Sequence, residues 1–262
     1  MHVALQDRFG VSMDTERMTT QFMEMVRIDS ESGDEARFMA WLVPRLEEIG
    51  GGVQLDAYGN LIAKLPAKHS SAEPILLSCH GDTVKPGKGI KPVLANGVIR
   101  SSGDTILGCD DKAGIAEMME ALRIAPVRPP IEVAISRQEE VGLLGVKQLD
   151  FGQITAKRGF LLDNDTLDTI IIGGPSYFAI DVTVKGKAAH AGMEPEKGIN
   201  AIQATAALMC GFTDASIYNN EGIEMAVVGI GARLEHSLEE HIHVEDMERA
   251  VAMMVEILRL SA

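Results

Sequence analysis

Four stretches of the chain carry apolar residues at helical spacing. Met18, Phe22 and Met25 share one face, as do Phe38, Leu42, Leu46 and Ile49, then Ile115, Met119 and Leu122, and finally Met247, Val251, Met254 and Leu258. Recurrence every three or four residues predicts amphipathic helices. Gly50-Gly51-Gly52 is expected to stop the second of them, and Pro44 inside it to kink it. Elsewhere the period is two. "VQLDAYGNLIAKLP" alternates around Gly59-Asn60 and "VLANGVIRS" around Asn96-Gly97, which predicts two hairpins. The short apolar runs "ILLSC" (75–79), "IEVAIS" (131–136), "GFLLD" (159–163) and "MAVVGI" (225–230) read as strands covered on both faces. Helices alternating with such strands predict an α/β layered domain.

Composition narrows the functions this domain can have. With 262 residues, 46% of them hydrophobic, the chain has ample material for a sizeable core. Its formal charge of −14 lacks the basic stripe that nucleic-acid binding requires, so no nucleic-acid partner is expected. No stretch is apolar for long enough to cross a membrane, and the amino-terminal residues lack a signal-peptide core, which predicts a cytoplasmic protein without a membrane partner. Cys79, Cys109 and Cys210 form an odd, scattered set that reads as small, buried, reduced residues. Cys79 and Cys109 adjoin candidate ligands, but on a strand Cys79 faces away from His80.

Polar residues cluster where the buried runs end. "ILLSC" is followed by His80 and, two residues on, Asp82; "IEVAIS" by Glu139 and Glu140; "GFLLD" closes on Asp163; "MAVVGIGARLE" leads to His236. "LGCDDKAGIAEMM" places Asp110 and Asp111 at a helix start. Each has an ordinary explanation: a surface pair, a solvated face, an N-cap, a strand terminus or a polar loop. All of them together, at the strand ends where α/β folds build their sites, point to one metal centre. The adjacent carboxylates Glu139 and Glu140 need a cation or a shared proton to be tolerated.

The segments "LLSCHGDTV", "TILGCDDKAGIAEMMEAL", "SRQEEVGLLGVKQLD", "KGKAAHAGMEPEKGINAI" and "EHSLEEHIHVEDM", in this order, resemble the peptidase T-like branch of the co-catalytic zinc metallopeptidase superfamily, which also contains carboxypeptidase G and aminoacylase. The resemblance implies a mixed, mostly parallel sheet with helices on both faces, formed by residues 1–174 and 211–262, plus a truncated α+β lid at 175–210. It implies that His80, Asp110 and Asp163 hold one metal while Asp110, Glu140 and His236 hold another. Asp110 is preferred to Asp111 because the family's bridging aspartate lies two residues before a lysine, here Lys112. Glu139 matches the general base, Asp82 the residue that orients His80, and His190 the histidine that stabilises the oxyanion, sometimes in a neighbouring subunit's site. A homodimer would follow from that last feature.

The implied reaction is amide hydrolysis of short peptides, of aminopeptidase or tripeptidase type, with two divalent ions, zinc or else cobalt or manganese. The ions activate a water between them and Glu139 takes its proton. Alternatives are an acylamino-acid deacylase, a carboxypeptidase, or a metal-binding domain with impaired catalysis. The impairment would follow from the lid: after "GINAIQATAALM" the family continues with further strands, a second helix and a carboxylate-binding arginine, whereas here "CGFTDASIYNNEGIEMAVVGIGA" follows near Met209 and Cys210.

Overall fold

Helix α1 (Thr15–Val26) buries Met18, Phe22, Met25 and Val26, and its first turn is capped by Asp14, whose carboxylate accepts the Arg17 N–H at 2.9 Å. These and the following elements belong to a computed structural model that describes residues 12–172 and 213–262. The described residues fall in one compact unit. The expected lid strand and helix, His190, Cys210 and the junction near Met209 lie outside the described residues.

Helix α2 (Ala36–Glu48) continues past Pro44 and ends where Gly50 turns left-handed at φ +98. There the Gly51 N–H donates to Leu46 O at 3.1 Å. Strands β1 (Gly52–Leu55) and β2 (Leu61–Leu65) pair antiparallel, with Leu55 opposite Leu61. Their connection is wider than the Gly59-Asn60 pair, because Asp56 Oδ1 gathers the N–H groups of Tyr58, Gly59 and Asn60 at 2.8–2.9 Å. The second expected hairpin is a tight one: β4 (Pro92–Ala95) and β5 (Val98–Ser101) are joined by Asn96 and Gly97 at φ 51 and 75. Positive φ at both turn residues matches the twist of a two-residue hairpin.

The remaining strands are β3 (Ile75–His80), β6 (Ile131–Ser136), β7 (Arg158–Asn164), β8 (Glu224–Gly229), β9 (Ala232–Arg233) and β10 (His241–His243). Six strands form one sheet in the order β1-β2-β6-β3-β7-β8. The pairs β6·β3, β3·β7 and β7·β8 are parallel and the β1·β2 and β2·β6 pairs antiparallel, so the sheet is mixed and mostly parallel. A smaller sheet has the order β4-β5-β10-β9.

Helices cover both faces of the larger sheet. Ile75, Leu77 and Cys79 of β3 join the main core with residues of α1, α2, α3 (Cys109–Ile124) and α5 (Val244–Ser261). On the other face, Ser78 Oγ meets Tyr218 OH of α4 (Ala215–Asn220) at 2.9 Å. This alternation follows from the strand period of two, and it sends His80 to the face opposite Cys79. The central strands end together at the edge where His80, Ser136 and Asn164 lie, so polar residues there escape the apolar core and face one another.

Candidate metal centre

The two aspartates that open α3 do not behave as ordinary first-turn residues. Gly108 is left-handed (φ 77, ψ 38), and Asp110 and Asp111 depart from helical dihedrals, at φ −78, ψ 106 and φ −118, ψ 29. Both stand in the first turn as expected, but across a kink, and helical dihedrals resume after Asp111. Extended backbone at Asp110 turns its carboxylate outward to two imidazoles. Asp110 Oδ1 lies 2.9 Å from His80 Nε2, and its Oδ2 lies 3.0 Å from His236 Nε2. Asp111 turns elsewhere, and its Oδ2 accepts the His80 backbone N–H at 3.1 Å.

The other residues expected from the strand ends gather around this pair. His80 Nε2 is 3.5 Å from Asp163 Oδ1, and His236 Nε2 is 2.9 Å from Glu140 Oε1. Three groups of donor atoms each fit within 4.8 Å: His80, Asp110 and Asp163; Asp110, Glu140 and His236; and His80, Glu139 and Glu140. Asp110 belongs to the first two. The structure thus brings together His80, Asp82, Asp110, Glu139, Glu140, Asp163 and His236, while His190 lies outside the described residues. Cys79 and Cys109 are buried and enter none of the groups. Burial pushes both thiols well up, which keeps them protonated.

Electrostatics at the site are those of carboxylates crowded out of water. Burial raises Asp163, with Asp110 adding to the effect, and burial raises Glu139, with Asp163, Asp214 and Glu140 adding to it. Burial acts against charge on His80 too, but Asp110, Asp163 and Asp82 around the ring outweigh it and push the imidazole well up. His236, half exposed, is pushed up to about 11 by its hydrogen bonds to Asp110 and Glu140. Protons held in this way stand where a cation could replace them. Imidazole and carboxylate donors, with no thiolate, suit a catalytic divalent ion, so the donor set fits the expected metals.

Asp82, expected beside His80, has partners on a second segment as well. Its Oδ1 lies 3.4 Å from His80 Nδ1. The same carboxylate accepts the backbone N–H of Glu139 at 2.9 Å and of Glu140 at 3.3 Å, and the Ser32 hydroxyl at 2.7 Å. One buried side chain therefore ties the end of β3 to the loop after β6.

Two further acids escaped the sequence reading. Asp214 is fully buried beside the site; its Oδ2 accepts the Ser136 hydroxyl while its Oδ1 has no partner among the described residues. Its position just before α4 signals only an N-cap, yet its side chain caps nothing. Glu240, four residues after His236, looks in sequence like part of an exposed acidic turn, but it is 2% exposed. Its partners are the backbone N–H groups of Leu107, Gly108 and Cys109.

Known proteins resemble this chain in sequence and in fold. The family model for peptidase family M20/M25/M40 matches residues 76–260. The Bacillus subtilis (strain 168) protein YqjE, described as uncharacterized, is 40% identical over 203 residues, covering 72% of this chain and 54% of that protein. Peptidase T of Listeria monocytogenes serotype 4b (strain F2365) is 26% identical over 238 residues, covering 72% of this chain and 58% of its own length. The chain thus spans about half the length of these curated relatives. The crystal structure of aminopeptidase PepT from Bacillus cereus ATCC 10987 matches with a TM-score of 0.78 at 26% identity, over 95% of this chain and 99% of that one. By its matched length, its relatives and its fold, the chain belongs to peptidase family M20/M25/M40, on the peptidase T-like side of that family.

Proposed function

We propose that the chain is a two-metal hydrolase that cleaves amide bonds of short peptides, as an aminopeptidase or tripeptidase. The observation that carries this reading is the shared carboxylate: Asp110 faces His80 through one oxygen and His236 through the other. His80, Asp110 and Asp163 would hold one divalent ion and Asp110, Glu140 and His236 the other, zinc foremost, with cobalt or manganese as alternatives. Ions bound there would supply Lewis acidity that polarises a peptide carbonyl and brings the pKa of a water to about 7.

The chain's own residues do the rest. Glu139 is 5% exposed and its carboxyl is pushed up by burial, so it has a raised affinity for a proton. It acts as general base, taking a proton from the attacking water and passing it to the leaving amine. Asp82, with Oδ1 3.4 Å from His80 Nδ1, is assigned to orienting that ring, and it holds the Glu139 backbone through its N–H. His190 is assigned to the oxyanion by resemblance, and residues 175–210 to the lid.

Purified protein loaded with zinc, cobalt or manganese, then assayed on a panel of di- and tripeptides and N-acyl amino acids, tests the reading. Release of free amino acids from unblocked peptides is the expected result. Exclusive turnover of acyl amino acids would reassign the chain as a deacylase, and no turnover of either class would overturn the catalytic reading.

Among the described residues, no helix is long and apolar enough to cross a membrane. A cytoplasmic location and a homodimer remain parts of this proposal.

A further inference from the structure

His236 is carried on the turn from Leu234 to Glu240, between β9 and β10. This turn is an exposed one. Leu234 and Leu238 are each 57% exposed, the His236 side chain is half exposed, and both Leu234 and His236 adopt positive φ, 54 and 59. Its internal bonds are local, from Ser237 Oγ to Leu234 O and from the Glu240 N–H to Ser237 O. Among the described residues, its side chains hydrogen-bond to distant parts of the chain through two residues, His236 and Glu240.

Glu240 makes the firmer of these links. Oε2 accepts the N–H of Leu107 at 2.7 Å and of Gly108 at 2.8 Å, and Oε1 accepts that of Cys109 at 2.8 Å. Successive N–H groups converging on one carboxylate form an anion-binding nest, made possible here by the left-handed Gly108. A side chain at position 108 would be strained at that φ and would also press on Thr83, with Cγ2 3.2 Å from its Cβ. All three donors are buried, so losing their acceptor would strand them. The residue that follows them is Asp110.

We infer that Glu240 is a positioning residue for the metal centre, joining the segment that delivers Asp110 to the turn that delivers His236 and so setting the distance between these two ligands. The inference rests on the two-metal reading of the site. A metal held by Asp110, Glu140 and His236 would replace the direct bonds from His236 to the two carboxylates, whereas the bonds of Glu240 do not involve the ligand atoms. Glu240 leaves the turn anchored whether or not metal is bound. Residues that orient ligands in this way influence metal affinity nearly as strongly as the ligands themselves.

The test compares two glutamates that do the same structural task in different places. Glu132, 4% exposed, accepts the N–H of Thr155 at 2.8 Å and of Ala156 at 2.9 Å on a loop that carries no proposed ligand. Glu240→Gln and Glu132→Gln each remove one buried carboxylate that collects backbone donors. Zinc binding to wild type and both variants is measured by calorimetric titration, with melting temperatures recorded on the metal-free proteins.

The expected result is two zinc ions per wild-type chain and unchanged zinc affinities in Glu132→Gln. In Glu240→Gln the weaker of the two affinities should fall by about 10- to 100-fold. If Glu240→Gln does not fold, Glu240→Asp, which keeps the charge and shortens the reach, is titrated in its place. Equal affinities in the glutamate-240 variant and Glu132→Gln, with wild type binding two zinc ions, would overturn the positioning role alone. A wild-type chain that binds no zinc would overturn the metal-centre reading and this inference with it.

Discussion

The Asp82 carboxylate accepts the backbone N–H of Glu139 at 2.9 Å across 57 residues of sequence. With its approach to His80 Nδ1 at 3.4 Å, this bond makes one buried side chain the junction between a proposed metal ligand and the proposed base. Asp82→Asn keeps the size but leaves one acceptor oxygen and adds an amide that would face N–H donors. Loss of a buried, charge-assisted hydrogen-bond hub costs about 1–3 kcal/mol. Metal affinity should also fall, by about 10- to 100-fold. Denaturant melts and zinc titration check both, and a variant matching wild type in both would remove Asp82 from the site's support.

Metal loading should stabilise the protein as well as occupy it. Elemental analysis after loading should approach two ions per chain, and at free metal a hundred times the Kd the gain is about 2.7 kcal/mol per site. Asp110→Ala removes the carboxylate common to both groups and should lose both ions. A melting temperature indifferent to added zinc, cobalt and manganese would contradict the assignment.

Glu139→Gln separates chemistry from binding. The amide retains the shape of the side chain but accepts no proton, so both ions should stay while turnover falls by about 10²- to 10⁴-fold. Metal stoichiometry and kcat are the two readouts. Undiminished kcat would exclude Glu139 as the base.

Glu117 carries a prediction about pH. It sits on α3 with 0% exposure, and neither carboxylate oxygen has a partner among the described residues. Burial first, then Asp111 and Asp246, push its carboxyl well above the ordinary range. The folded chain therefore holds a proton that the unfolded chain releases above its own, ordinary pKa. Its contribution to stability is fully present below that unfolded value and is lost as pH rises toward the folded value. Glu117→Gln needs no such proton. Its melting temperature should exceed that of wild type at neutral pH, with the difference vanishing in acid. A gap that stays constant between pH 4 and pH 8 would show that Glu117 is not held protonated.

The helices and strands were legible because their signals are local. Phe22 and Met25 in α1, Leu42 and Leu46 in α2, and Met254 and Leu258 in α5 all line the core at the spacing their sequence displays. Asn96-Gly97 closes its hairpin because both residues tolerate positive φ, a property of the residues themselves. The proposed ligands stood out for a similar reason: His80, Glu140, Asp163 and His236 stand at or beyond the ends of apolar runs, where a buried strand has no ordinary use for them.

Burial of the supporting acids was decided by the tertiary structure alone. Glu240 and the N–H groups it collects are 131–133 residues apart, and Asp214 is 78 residues from Ser136. Nothing near either acid in sequence distinguishes it from a solvated loop carboxylate, because its environment is made by segments that meet only when the sheet and its connections close. Asp110 and Asp111 give the clearest contrast. As neighbours in sequence they are chemically identical, and a left-handed Gly108 followed by non-helical backbone turns one toward two imidazoles and the other toward the His80 N–H. Residue chemistry determined that a metal centre could form, and backbone geometry decided which carboxylate faces it.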